Sequence, residues 1–183
     1  TTDGQNTFTN ILIEDGANPT FSGDVNLNGL IFIETPNQVS FSGNVTITGV
    51  IVTQDAGNDV YEDNTITFGG NITSLGVENL PDEEQFAQLK QMPGTFLLAP
   101  GFGVSFGGNF DTNNGTIAAE QLTFSGHCGG TIRGSIISYG PESMVFPDAS
   151  HFCFDHADIP AMPHGFADTD MLFVVDPQSY TER

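Results

Sequence analysis

A single hexapeptide returns five times along this chain, and an in-register return of that kind leaves few folds open. The copies are Thr20-Phe21-Ser22-Gly23-Asp24-Val25, Ser40-Phe41-Ser42-Gly43-Asn44-Val45 and Thr67-Phe68-Gly69-Gly70-Asn71-Ile72, then Ser105-Phe106-Gly107-Gly108-Asn109-Phe110 and Thr123-Phe124-Ser125-Gly126-His127-Cys128. Each reads Ser/Thr, Phe, Ser/Gly, Gly, polar, apolar. Val39, Ile66, Val104 and Leu122 stand just before four of them, and Pro19 before the first. The first two copies also continue alike, with Leu27, Gly29, Ile31 and Ile33 matching Ile47, Gly49, Ile51 and Thr53. Alternation at period two marks strands with one buried face.

Successive phenylalanines of the motif lie 20, 27, 38 and 18 residues apart. The first and last separations suit one turn of a coiled, repetitive chain; the middle two imply insertions. One such turn cannot bury its apolar face alone, so stacking must supply both the core and the backbone pairing. The expectation is an all-β, single-domain parallel β-helix (β-solenoid) of about five coils spanning residues 1–183. Its repeat region covers about 19–140, and Phe21, Phe41, Phe68, Phe106 and Phe124 form a core ladder. Gly after each Phe would allow a corner. An antiparallel sandwich, with Asn28-Gly29 and Asn114-Gly115 as hairpin turns, gives no reason for the motif to recur in register.

The longest insertion reads as a short helix over 81–92. Pro81 fits the first helical position, Asp82, Glu83 and Glu84 suit the positive end of the dipole, and Pro93-Gly94 stops it. Phe86 and Leu89 would dock it on the side of the coils or over an open end. Residues 55–64 read as a polar loop. From Pro141 the repeat dissolves into an irregular capping tail, 141–183, with Met171 to Val175 apolar enough for one last strand.

Charge limits the partners. The chain has 23 acidic residues against three Lys plus Arg, a net charge of −20. That repels nucleic acid and anionic membranes, which call for basic patches. No apolar run approaches the ~20 residues needed to cross a bilayer. Thr1 reads as a mature or trimmed start. Motifs for phosphate loops, serine-hydrolase elbows and c-type haem are missing.

Three groups of residues are chemical candidates. The polar position after Gly forms a column of Asp24, Asn44, Asn71, Asn109 and His127. Such a column is either a ligand ladder for Ca²⁺ or sugar hydroxyls, or a structural ladder in which amides tolerate left-handed corners and bond their stacked neighbours. His151, Cys153 and His156, with His127 close to Cys128, are the densest set of metal-type ligands, without the paired spacing of zinc motifs. Cys128 and Cys153 are alternatively a disulfide pinning the tail to the last coil, or free thiols. For an enzyme, Asp155, Asp158, Asp168 and Asp170 are the available acids, but they read as solvated loop carboxylates rather than a dyad. The faint Gly126-His127-Cys128 and Thr131-Ile132-Arg133 echo of polygalacturonase motifs is too closely spaced. The residues therefore imply no enzyme and no resident cofactor, with Ca²⁺ on the polar column and zinc on the His/Cys set as the ions to consider.

The runs Asn28-Gly29-Leu30-Ile31-Phe32-Ile33-Glu34, Phe41 through Val52, and Phe124 through Ile137 resemble the β-solenoid ectodomains of bacterial PilX-type (type IV pilin-like) pilus-assembly proteins. The likeness covers roughly residues 19–140, lacks the N-terminal hydrophobic helix of pilins, and is partly shared by bactofilin-like polymers. It implies an extracellular or cell-surface structural component, acting by shape and self-association or contact with other assembly subunits, with no catalytic residues to carry over. A carbohydrate- or Ca²⁺-binding adhesin module is the alternative, with polysaccharide as partner.

Overall fold

Among the described residues thirteen strands hold more than half of the positions, and every strand pairing is parallel. The computed structural model describes residues 6–57, 63–125, 128–141, 144, 146 and 151–155. The strands are β1 (Asn6–Ile13), β2 (Thr20–Phe21), β3 (Asp24–Ile33), β4 (Gln38–Phe41), β5 (Asn44–Thr53), β6 (Thr65–Phe68) and β7 (Asn71–Leu75). They continue with β8 (Thr95–Phe106), β9 (Asn109–Asn114), β10 (Thr116–Phe124), β11 (Gly129–Arg133), β12 (Ile136–Ser138) and β13 (His151–Phe154). Hydrogen-bonded neighbours run β13-β11-β9-β7-β5-β8-β6-β4-β2, so the sheet is a curled, half-barrel surface. Hairpins are absent from this order. Asn28-Gly29 lies inside β3, and Gly115 (φ 122°) links β9 to β10 as a bend.

The hexapeptides meet in the register that the sequence implies. Phe21 pairs with Phe41, Phe41 with Phe68, Phe68 with Phe106 and Phe106 with Phe124. Their rings stack at 5.1, 5.0, 4.8 and 5.3 Å, with planes 9–12° apart. That near-parallel spacing is imposed by the ~4.8 Å strand repeat and brings each ring close to its neighbours. Val25, Leu27, Ile31 and Ile33 of β3 point inward beside Val45, Ile47 and Ile51 of β5, all within one core cluster. Phe96 and Phe102 add two more buried rings to the interior.

The motif glycine has a different role from the one expected of it. Gly43, Gly70 and Gly108 do not use left-handed backbone; among the described motif glycines only Gly23 does, at φ 79°. Instead a Cβ at Gly43 would stand 2.0 Å from the Gly23 carbonyl oxygen. At Gly70 it would stand 2.0 Å from Gly43 O, and at Gly108 1.9 Å from Gly70 O. The glycines are stacked backbone on backbone, and the space for a side chain is taken by the neighbouring pass of the chain.

The expected helix over 81–92 is not formed. Three 3₁₀ turns, Val77–Asn79, Glu84–Phe86 and Leu89–Gln91, stand in the insertion; extended Leu80 and Glu83 part the first two, while Ala87 and Gln88, in right-handed helical backbone, join the second to the third without closing a regular α-helix. Twelve residues make a marginal helix in water, and here docking sets the path. Phe86 lies over Gly29 and joins Val77, Leu80 and Leu89 in a small second core, while Lys90 Nζ donates to Leu80 O and pairs with Asp82. Phe86 and Leu89 thus dock the segment on the side of the sheet.

The tail also departs from an irregular cap at its start. Phe146 stacks on Phe124 at 4.9 Å, Met144 packs on the core, and β13 pairs with β11. Met171 to Val175 lies outside the described residues, as does most of 141–183.

Candidate functional site

The polar column after the motif glycine forms a hydrogen-bonded row on the outer surface. Asp24, Asn44, Asn71 and Asn109 are the first residues of β3, β5, β7 and β9. Asn44 Nδ2 donates to Asp24 Oδ1 at 2.8 Å, and Asn71 Nδ2 donates to Asn44 Oδ1 at 2.9 Å. Asn44 and Asn71 therefore point one way, each donating to the previous pass, and the row ends on the Asp24 carboxylate. A charged acceptor is the stronger terminus for such a polarised chain. None of these residues has positive φ; the left-handed non-glycine positions are Asn10 and Asn18. The amides bond their stacked neighbours, whereas the tolerance of left-handed corners plays no part.

Beside this ladder runs a shallow groove of about 410 Å³, lined by Gly23, Gly43, Gly70, Gly108 and the amides of Asn44, Asn71 and Asn109. A second shallow groove, about 350 Å³, crosses the hydroxyl-bearing face at Thr65, Thr67, Ser105, Gln121 and Thr123, where Ser105 Oγ donates to Thr67 Oγ1 at 3.2 Å. Neither groove contains an aromatic ring.

A buried amide ladder went unread in the sequence. Asn37 and Asn64 are 0 % and 1 % exposed at the corners before β4 and β6. Asn37 Nδ2 donates to the carbonyls of Glu14 (2.7 Å) and Glu34 (3.0 Å), and its Oδ1 accepts the Asn18 N–H at 2.8 Å. Asn64 Oδ1 accepts from Thr35 Oγ1 (2.6 Å) and from the Asn37 N–H (3.2 Å). These side chains satisfy corner groups that strand pairing leaves open. The signal was an Asn four residues before Phe41 and Phe68, and three before Phe21.

The two cysteines are free thiols, Cys128 buried and Cys153 exposed. Register explains why they do not meet: Cys153 sits level with Thr131, three residues beyond Cys128. At ~3.3 Å per residue that offset is about 10 Å, past the ~7 Å Cα separation a disulfide tolerates. Burial raises the Cys128 thiol pKa above its ordinary value. His127 and His156 lie outside the described residues, as does the side chain of His151, so the zinc expectation gains no geometry. Among the described residues no group of three or more His, Cys, Asp or Glu is placed to hold a metal ion. Of the acids considered for catalysis, Asp155 accepts from Arg133 Nε at 3.1 Å in a half-exposed pair. The others fall outside the described residues. Tyr139 has its hydroxyl pKa raised, first by burial and then by the charges of Glu120 and Asp55.

No family model, curated protein or solved structure matches this chain. Among the described residues no helix is long and apolar enough to cross a membrane.

Proposed function

We propose that the chain is a β-solenoid of about five coils and an extracellular structural module of a pilus-like or other surface assembly, acting by rigid shape and self-association. The observation that carries this reading is the uncharged, unpaired edge of β1. On a chain of net charge −20, the eight residues Asn6–Ile13 bear no charge. β1 pairs only with β3 among the described residues, and Phe8 and Leu12 are exposed on it, Phe8 edge-on to Phe21 at 6.1 Å. The edge carries no Lys or Pro, and although a bulge at Asn10, bonded to Gln85, interrupts it, the strand on either side of the bulge is a template for another strand. The stack of phenylalanines behind it gives the stiffness a rod needs. Electron microscopy and sedimentation at high concentration, with and without divalent salt, test the proposal. Fibres or concentration-dependent oligomers are expected, and monomer throughout overturns it.

The groove of Asn44, Asn71 and Asn109 favours a second reading, a carbohydrate- or Ca²⁺-binding adhesin module. Amide donors and acceptors at a fixed spacing match a polyhydroxylated chain. Calorimetric titration with Ca²⁺ and a glycan array decide it, and silence in both ends this alternative.

A further inference from the structure

One outward column of the sheet is apolar along its whole length. Leu12, Phe32, Val52, Leu98, Ala118 and Ile137 come one each from β1, β3, β5, β8, β10 and β12 and are joined by register. They alternate with inward residues such as Ile31, Ile51, Leu97 and Ile117, and none belongs to the core cluster. Leu12 is 56 % and Ile137 36 % exposed, Phe32, Val52 and Leu98 are half-buried, Ala118 is covered between its larger neighbours, and exposed Leu30 widens the row. At ~4.8 Å per strand the stripe is about 24 Å long.

Acid flanks it on both sides. Two residues further along the same strands stand Glu14, Glu34 and Glu120, with Asp15 and Asp55 next to them. On the other side lies the insertion bearing exposed Glu83 and Glu84. Its Gln85 accepts from Asn10 Nδ2, and Asn10 Oδ1 accepts the Leu30 N–H. Lys90 and Arg133 are held away by Asp82 and Asp155.

An apolar row that is open to water at Leu12, Leu30 and Ile137 and partly open from Phe32 to Leu98 marks an interaction surface, and the flanking charges select what covers it. A second copy would bring carboxylate against carboxylate. An anionic bilayer is repelled in the same way. A segment with an apolar stripe edged by Lys and Arg meets both requirements at once. We propose that this stripe docks a basic amphipathic segment of a partner protein, matched in length by a helix of roughly 16 residues. The site is on the side of the sheet and shares only Leu12 with the β1 edge, so Phe32, Val52 and Leu98 stay available whether or not that edge self-associates.

The test is fluorescence anisotropy with the whole chain and a labelled peptide of Leu at i, i+3, i+4 and i+7 edged by Lys. A scrambled peptide of the same composition and an oligolysine of equal charge are the comparators. The amphipathic peptide is expected to bind at least tenfold more tightly than either. Its affinity should fall severalfold between ~10 mM and ~1 M salt, as the Debye length shrinks from ~30 to ~3 Å. Phe32→Ser with Leu98→Ser should abolish the preference for the amphipathic peptide, circular dichroism reporting that the fold persists. Should that pair fail to fold, Glu34→Gln with Glu120→Gln, which leaves the stripe intact, should weaken binding about two- to tenfold. Equal binding of the scrambled peptide or oligolysine overturns the proposal, as do variants that bind like the parent. A dimer that Leu98→Ser disperses also overturns it, because the stripe is then covered by a second copy.

Discussion

Gly69 and Gly70 are adjacent, chemically identical and in ordinary backbone, yet the structure assigns them opposite tolerances. A Cβ added at Gly70 would lie 2.0 Å from Gly43 O, where ordinary contact begins at 3.4 Å. The two passes of chain would have to part locally by well over an ångström. Two bonds cross that contact, Asn71 N–H to Gly43 O at 3.0 Å and Gly70 N–H to Phe41 O at 3.2 Å. Overpacking costs about 1–3 kcal/mol, and each weakened hydrogen bond adds about 1 kcal/mol. Gly70→Ala should therefore destabilise by roughly 3–5 kcal/mol, a large share of the ~5–15 kcal/mol of a typical domain. At Gly69 the same Cβ meets nothing nearer than Phe41 O at 3.9 Å. Gly69→Ala should then be neutral, or stabilising by up to ~1 kcal/mol through the unfolded chain. That entropic gain applies to both substitutions, so their difference isolates the clash. Urea denaturation with matched m-values measures it. Equal midpoints for the two variants would refute the backbone-on-backbone argument.

Three further outcomes follow from the core and the thiols. Phe68→Ala, deep in the ring stack, should cost about 3–5 kcal/mol, whereas Phe146→Ala at the half-exposed end should cost under ~1 kcal/mol; similar losses in denaturant melts would contradict a continuous stack. Ser74 occupies an inward position level with Ile47, and its buried Oγ has no partner, so Ser74→Ala should be neutral or stabilising by up to ~1 kcal/mol, and a clear loss of melting temperature would show an unrecognised partner. Maleimide under native conditions should label Cys153 and spare Cys128, as mass spectrometry reads directly; equal labelling, or none, would contradict the assigned positions. Because the Cys128 pKa is raised on folding, its contribution is intact below the ordinary thiol range and is lost as pH rises through it, since the unfolded thiol ionises first.

The ring ladder was legible because repetition writes register directly: five Phe residues in one motif can pair in parallel only by stacking. Phe146 escaped because Met144-Val145-Phe146 keeps the apolar-x-Phe spacing but loses the following Ser/Gly-Gly. The amide column was visible as a column, and its geometry shows it bonding itself. The helix over 81–92 failed because its end signals are local, while Phe86 over Gly29 and Lys90 on Leu80 O are long-range anchors. The disulfide failed because two cysteines say nothing of register, and a three-residue offset separates them.

By itself the sequence determined periodicity, the parallel pairing that follows from it, the inward face of the repeated strands and the acid excess. These are properties of spacing and charge, which survive any local rearrangement. Only the tertiary structure decided which glycine of a pair is indispensable, which asparagines are buried, and that the outward column from Leu12 to Ile137 is one continuous apolar stripe between carboxylates. Those depend on residues distant in the chain arriving within a few ångströms, and that proximity is set by how insertions are accommodated between passes.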